Sequence, residues 1–210
     1  MSKTDPIHIM VVDDHPVVRR GLFAIIGLDA GMRVVAEAAS GEEAVKMFRQ
    51  HEPDVTLMDL RLQPGMGGVE AIAAIREEFP ASKFVVLTTY DGDEDIYRAL
   101  QAGAQAYLLK GTLDHEVRET IKAVHRGLRR IPTPVSDRLS VRPPNSELTP
   151  RELEVLQLIV NGKSNKELAD ALGITENTVK WFTKIIFNKL DVRDRTQATT
   201  AALQRGIVHL

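Results

Sequence analysis

Five short runs rich in Val, Ile and Leu alternate with amphipathic stretches through residues 7–128, and no other feature restricts the fold as much. Runs of this kind, each followed by a helical pattern, are buried strands of a parallel sheet whose crossover helices cover both faces. The spacing predicts strands over Ile7–Asp13, Arg33–Glu37, Asp54–Asp59, Lys83–Thr88 and Gln105–Leu109. It predicts helices over Pro16–Leu28, Gly41–His51, Gly68–Phe79, Asp93–Ala102 and Leu113–Gly127. Pro16 suits a first helical turn, where its missing N–H has no partner to lose, while Pro53 and Pro80 stop the helices before them. Right-handed crossovers then give an α/β domain, a doubly wound parallel sheet of five strands.

The strands end in polar residues. VTLMDL delivers Asp59, IHIMVVDD delivers Asp13 and Asp14, KFVVLTT delivers Thr88 and Thr89, and QAYLLK delivers Lys110. Ligands of such sheets gather at the carboxyl ends of the strands, so three carboxylates, a hydroxyl and an ammonium converge on one rim with Asp59 at its centre. Any one aspartate serves equally well as a helix cap. Three on neighbouring strands repel one another and call for a cation. The chain has no cysteine, which excludes disulfides, thiolate metal sites and cysteine catalysis. With oxygen donors and no nearby histidine framework, the expected cation is Mg²⁺. Asp59 ends a strand rather than opening a helix, so its carboxylate is expected to face open solvent beside the metal. A metal-supported carboxylate near an ammonium suits attack on a phosphoryl centre, with Lys110 and Thr88 meeting the new phosphoryl oxygens.

These residues carry a resemblance. Residues 7–128 are similar to the receiver domain of two-component response regulators: DDHP at Asp13–Pro16, then Asp59, Thr88, Tyr107 and Lys110 fall in family order. The resemblance implies a sheet in the strand order 2-1-3-4-5, with Asp59 as the phosphoacceptor, Asp14 ligating Mg²⁺ directly and Asp13 through water, and the backbone carbonyl of Arg61 completing the protein's share. Thr88 and Tyr107 would form the switch pair. Two departures border the metal: family members usually read like DLRMPGMDG after the acceptor, whereas this chain reads DLRLQPGMGG, with an extra Gln63 and with Gly67 where Asp is common. Thr89 also stands where a smaller residue is frequent.

From Leu128 to Glu147 the periodicity dissolves in a proline-bearing stretch, a semi-rigid linker with room for a short helix at Val135–Leu139. The remainder is helical. LTPRELEVL opens with a capping box at Thr149 and Glu152, and SNKELADALG runs from Ser164 to Gly173. ITENTVKWFTKIIFNKL starts at Thr175, and DRTQATTAALQRGIV closes the chain. A short helix, a tight turn and a longer helix make a helix-turn-helix, with Leu168, Leu172, Val179, Ile186 and Leu190 as core. Lys180, Lys184 and Asn188 share the other face beside Trp181, while Thr175, Asn177 and Thr178 crowd the N-terminal turn, where phosphate can be held. Net charge gives little help: residues 1–130 hold 16 Lys and Arg against 20 Asp and Glu, and residues 146–210 hold 9 against 8, so a claim on DNA rests on placement. Residues 148–208 resemble LuxR-type DNA-binding domains, and the whole chain resembles a NarL/FixJ-type response regulator. The Ala198, Ala201 and Ala202 stripe of the last helix suits either packing within the domain or the dimer surface the family would use.

The expected organisation is a receiver over 1–128, a linker over 129–146 and an all-α helix-turn-helix domain of four helices over 147–210. The expected protein is a cytoplasmic, DNA-binding transcription regulator rather than an enzyme, acting only in its own phosphoryl transfer from a sensor histidine kinase. It binds promoter DNA in the major groove as a homodimer, without a membrane partner. Two competing readings are a phosphotransfer or metal-hydrolase enzyme built on the acidic rim, and a constitutive DNA-binding regulator whose receiver only dimerises.

Overall fold

A computed structural model of the protein describes residues 5–89, 93–131 and 148–208. The expected helix at Val135–Leu139 lies outside the described residues. Contacts divide the chain into two compact units, the second built mainly on residues 148–208.

The first unit alternates β1 (Ile7–Val12), α1 (Pro16–Gly27), β2 (Met32–Ala38), α2 (Gly41–His51) and β3 (Val55–Met58). It continues through α3 (Gly68–Glu78), β4 (Phe84–Thr88), α4 (Asp93–Gln101), β5 (Ala106–Leu109) and α5 (Asp114–His125). All ten elements stand where the periodicity put them, with ends moved by two residues at most. The sheet is parallel throughout, in the order β2-β1-β3-β4-β5. Every residue of β3 and β4 is buried, as strands covered on both faces require. Ile9 and Val11 of β1, Leu57 of β3 and Val85 and Leu87 of β4 meet Leu22 and Ile26 of α1 and Val117, Ile121 and Val124 of α5. On α2, Phe48 packs its ring 5.1 Å from Phe79 and 6.2 Å from Phe84. Arg130, placed in the linker by sequence, instead bridges to Ala106 at the β5 edge.

The turn after β3 needs glycine at two close approaches. A Cβ on Gly68 would overlap the Asp59 carbonyl oxygen, and one on Gly41 would overlap that of Met66. With both present, the Gly68 N–H reaches the Leu60 carbonyl at 3.0 Å and the loop folds back beneath the strand end.

The second unit holds α6 (Pro150–Val160), α7 (Asn165–Leu172), α8 (Glu176–Leu190) and α9 (Arg195–Gln204). The capping box expected at Thr149–Glu152 is complete, Ser164 caps α7 in a second box with Glu167 that the sequence reading did not name, and the Thr175 hydroxyl accepts from the Thr178 N–H. Gly173 adopts φ 64°, the left-handed conformation that turns α7 into α8. Leu168, Val179, Ile186 and Leu190 are buried with Val155, Leu156 and Ile159, and Leu172 packs at the edge of that cluster. Ala198 and Ala202 are completely buried, one helical turn apart, and Ala202 belongs to this core. They therefore cannot offer the small-residue dimer surface proposed for them, because their size serves close packing inside the domain. Ala201 alone of that stripe is partly exposed.

Candidate functional site

Register sets the first site. Val12 of β1 pairs with Met58 of β3, and the Asp59 N–H donates to the Val12 carbonyl at 2.9 Å, so Asp13 and Asp59 leave the sheet side by side. One strand further on, the Lys110 N–H donates to the Thr88 carbonyl at 2.7 Å. That places the Lys110 ammonium over the aspartates, with Nζ 2.7 Å from Asp13 Oδ2 and 2.7 Å from Asp59 Oδ2.

The pocket is more enclosed than the sequence suggested. The Asp13 and Asp59 side chains are 1% and 3% exposed, and that of Lys110 is 12% exposed. The expectation that Asp59 faces open solvent is corrected: the ammonium lies directly on its carboxylate, a tertiary effect that strand-end logic does not register. Burial pushes the Asp59 carboxyl above its ordinary value, Lys110 opposes that shift, and the Asp13 charge reinforces it. On Lys110 burial acts downward, but its bonds to Asp13 and Asp59 outweigh it and raise the ammonium above the ordinary lysine value.

One ammonium leaves three carboxylates undercompensated by two charges. Asp14 Oδ1 is buried, makes no well-aligned hydrogen bond, and has His15 Nδ1 as its close polar neighbour at 2.6 Å. An oxygen donor set and two excess negative charges fit a divalent cation such as Mg²⁺. The same region holds a residue that sequence reasoning missed. Ligand atoms of Asp13, Asp14, His15 and Asp59 all lie within 4.8 Å of one another, and His15 Nδ1 stands 2.6 Å from Asp14 Oδ1. One histidine is therefore near the rim. The signal was in the DDHP motif: His15 is the N-cap of α1, and its backbone N–H donates to Asp13 Oδ1 at 2.9 Å, which fixes the His15 backbone beside the rim.

The Arg61 N–H donates to Asp59 Oδ1 at 3.3 Å. The lengthened loop beyond is tied to α2, where Glu42 accepts the Met66 N–H at 2.8 Å and the Met66 carbonyl accepts the Gly41 N–H at 3.2 Å. Gly67 is the N-cap of α3 and provides no side-chain cap. Thr88 and Tyr107 are each 2% exposed. Tyr107 pairs with Val86, so Thr88 is its diagonal neighbour on the same side of the pleat. Thr89 is exposed.

The second unit has a separate face. On α8, Asn177, Lys180, Trp181, Lys184 and Asn188 are exposed, as is the N-cap Thr175, while Thr178 is half-buried. The Thr175 and Thr178 hydroxyls bond each other at 2.9 Å, which leaves fewer protons for a phosphate than the sequence implied. Trp181 is 58% exposed, and its ring is held edge-on against Phe182 at 4.9 Å. A groove beside it is lined by Asn165, Lys180, Lys184, Asn188 and Arg193; Asn165 and Arg193 were not anticipated, because they come from neighbouring segments.

A doubly wound sheet with an acidic rim and a bridging lysine, followed by a helix-turn-helix, defines a signal-receiving DNA-binding regulator. The family model for the response regulator receiver domain matches residues 9–122, and that for bacterial regulatory proteins of the luxR family matches residues 146–202. The chain belongs to the two-component response regulators that join a receiver domain to a LuxR-type DNA-binding domain. It is 38% identical to the transcriptional regulatory protein LiaR of Bacillus subtilis (strain 168), over 97% of this chain and 100% of that one. It is 37% identical to the nitrate/nitrite response regulator protein NarP of Escherichia coli (strain K12), over 98% of each. Among solved structures, the response regulator ChrA of a heme-sensing two-component system shares 36% identity at a TM-score of 0.57, covering 97% of this chain and 100% of that one. Among the described residues, no helix is long and apolar enough to cross a membrane.

Proposed function

We propose that Asp59 is the phosphoacceptor, that Mg²⁺ is held by Asp13, Asp14, Asp59 and the Arg61 carbonyl, and that the donor is a sensor histidine kinase. The observation that carries this reading is Lys110 Nζ set 2.7 Å from both Asp13 and Asp59 in an otherwise acidic, enclosed pocket. Asp59 attacks phosphorus, forming an oxygen–phosphorus bond as the nitrogen–phosphorus bond of the donor phosphohistidine breaks and its electron pair leaves on the imidazole. Bound Mg²⁺ supplies neutralisation of the approaching oxygens. Lys110 keeps its place and transfers one of its two bonds to a phosphoryl oxygen, while Asp13 retains the other. The Thr88 hydroxyl moves to a second phosphoryl oxygen, and Tyr107 behind it follows, biasing the receiver toward a second arrangement.

In this reading the receiver occupies 1–128, the linker 129–146 and the reader of DNA 147–210, all in the cytoplasm. Lys180, Trp181, Lys184 and Asn188 enter a major groove of promoter DNA, Thr175, Asn177 and Thr178 meet a phosphate, and the active form binds as a homodimer with Ala201 near the contact. The test is DNA binding before and after treatment with a small phosphodonor and Mg²⁺. Phosphorylation strengthens binding of the wild type and leaves Asp59→Ala unchanged. Equal binding by both proteins before and after treatment would favour a constitutive regulator instead.

A further inference from the structure

Among the described residues, His15 is the imidazole in a group of possible metal ligands whose other members, Asp13, Asp14 and Asp59, are carboxylates. Its Nδ1 lies 2.6 Å from Asp14 Oδ1 and 3.4 Å from Asp13 Oδ1. Two ligands on one transition-metal ion, each bonded at about 2.0–2.2 Å, stand roughly 2.8–3.6 Å apart for right to tetrahedral angles at the metal. The Asp13 separation falls within that range and the Asp14 separation just below it, so a small rotation of the imidazole away from the Asp14 carboxylate admits one ion between them. The side chain is 67% exposed, which leaves it free to turn toward or away from the rim. Its backbone is not free, since the His15 N–H is fixed on Asp13 and α1 begins at the next residue.

We infer that His15 gives this pocket a second metal preference: Mg²⁺ binds on oxygens alone, with the imidazole turned outward, whereas Co²⁺ or Zn²⁺ recruits His15 Nδ1 beside Asp14 and Asp59. Imidazole nitrogen strengthens sites for borderline divalent ions and adds little for Mg²⁺, which prefers carboxylate and water oxygens. Transition ions and Mg²⁺ therefore compete for the pocket, and His15 sets the ratio of their affinities. The inference rests on the Mg²⁺ reading of the pocket given above.

The test measures binding of Co²⁺ and of Mg²⁺ to the full chain by titration calorimetry, together with the visible absorption of bound Co²⁺, in wild type, His15→Ala and Asp14→Asn. The expected result is Co²⁺ displaced by Mg²⁺ in wild type, Co²⁺ affinity at least about tenfold weaker in His15→Ala, and Mg²⁺ affinity there within twofold of wild type. Asp14→Asn weakens both ions. Parallel weakening of both ions in His15→Ala, or no change in either, overturns the inference and leaves the Mg²⁺ reading standing. So does a wild type in which Mg²⁺ binds but fails to displace Co²⁺. A wild type that binds no Mg²⁺ overturns the metal reading itself, and this inference with it.

Discussion

Replacing Lys110 with alanine isolates the electrostatics of the pocket. The change removes two charge-assisted bonds of 2.7 Å and leaves Asp13 and Asp59 behind at 1% and 3% side-chain exposure. Stripping the partner from a buried charge costs about 3–5 kcal/mol. Proton uptake by one of the carboxyls limits the loss, so the lower end applies near neutral pH. At roughly 4 °C per kcal/mol for a domain of this size, the receiver transition falls by about 10 °C or more in the presence of a chelator. Saturating Mg²⁺ narrows the gap, because a divalent ion restores the lost positive charge. An ion at a hundredfold its Kd adds about 2.7 kcal/mol, and the variant gains more than the wild type does. Scanning calorimetry of the full chain, with Mg²⁺ and with chelator, reads both effects. Trp181, the only tryptophan in the chain, reports the second unit separately by fluorescence, and its melt stays where it was. A receiver transition in chelator within 2 °C of wild type, in place of the expected drop of about 10 °C, would refute this electrostatic role of Lys110.

Three further outcomes are expected. Burial raises the Glu152 carboxyl, but the Lys189 ammonium at 2.7 Å and the Thr149 N–H outweigh it and hold the group below its ordinary value. A depressed carboxyl stabilises the fold above its unfolded value and loses that contribution as pH falls through the folded one. Glu152→Gln therefore lowers the Trp181-detected melt at neutral pH and flattens its decline in acid; parallel acid profiles would exclude the pair as a source of stability. Gly68→Ala forces a Cβ into the Asp59 carbonyl, so calorimetry shows a receiver destabilised by about 1–3 kcal/mol, and phosphorylation slows as Asp59 shifts. Lys184→Ala weakens DNA binding and reduces the salt slope by about one, while Trp181 emission changes on DNA addition in both proteins; an unchanged slope removes Lys184 from the interface.

Much of this was legible in the letters because the sheet is covered on both faces. Val55–Met58 and Phe84–Thr88 are apolar runs with no reason to exist except burial, and their registers bring Asp13, Asp59, Thr88 and Lys110 to one edge. Caps at Thr149, Ser164 and Thr175 were equally plain, since each is decided within four residues. What escaped depends on distant packing. The burial of Asp59 is set by Lys110, 51 residues along the chain, rather than by the strand that ends in it. His15 was passed over because it stands one residue beyond the strand-end aspartates and reaches back to them only through a turn. The alanines of α9 carried two meanings, and helical spacing could not choose between an internal and an external partner. Their complete burial chose the internal one for Ala198 and Ala202.

Covalent phosphorylation of the enclosed Asp59 when its pocket holds a divalent ion is the step on which signalling depends. Intact-mass spectrometry of the full chain after incubation with a small phosphodonor answers this, with Mg²⁺ present or chelated, for wild type and Asp59→Ala. The predicted result is a gain of one phosphoryl mass in wild type, dependent on Mg²⁺, and no gain in the variant. An equal gain in Asp59→Ala, or a gain in wild type indifferent to the chelator, would contradict it.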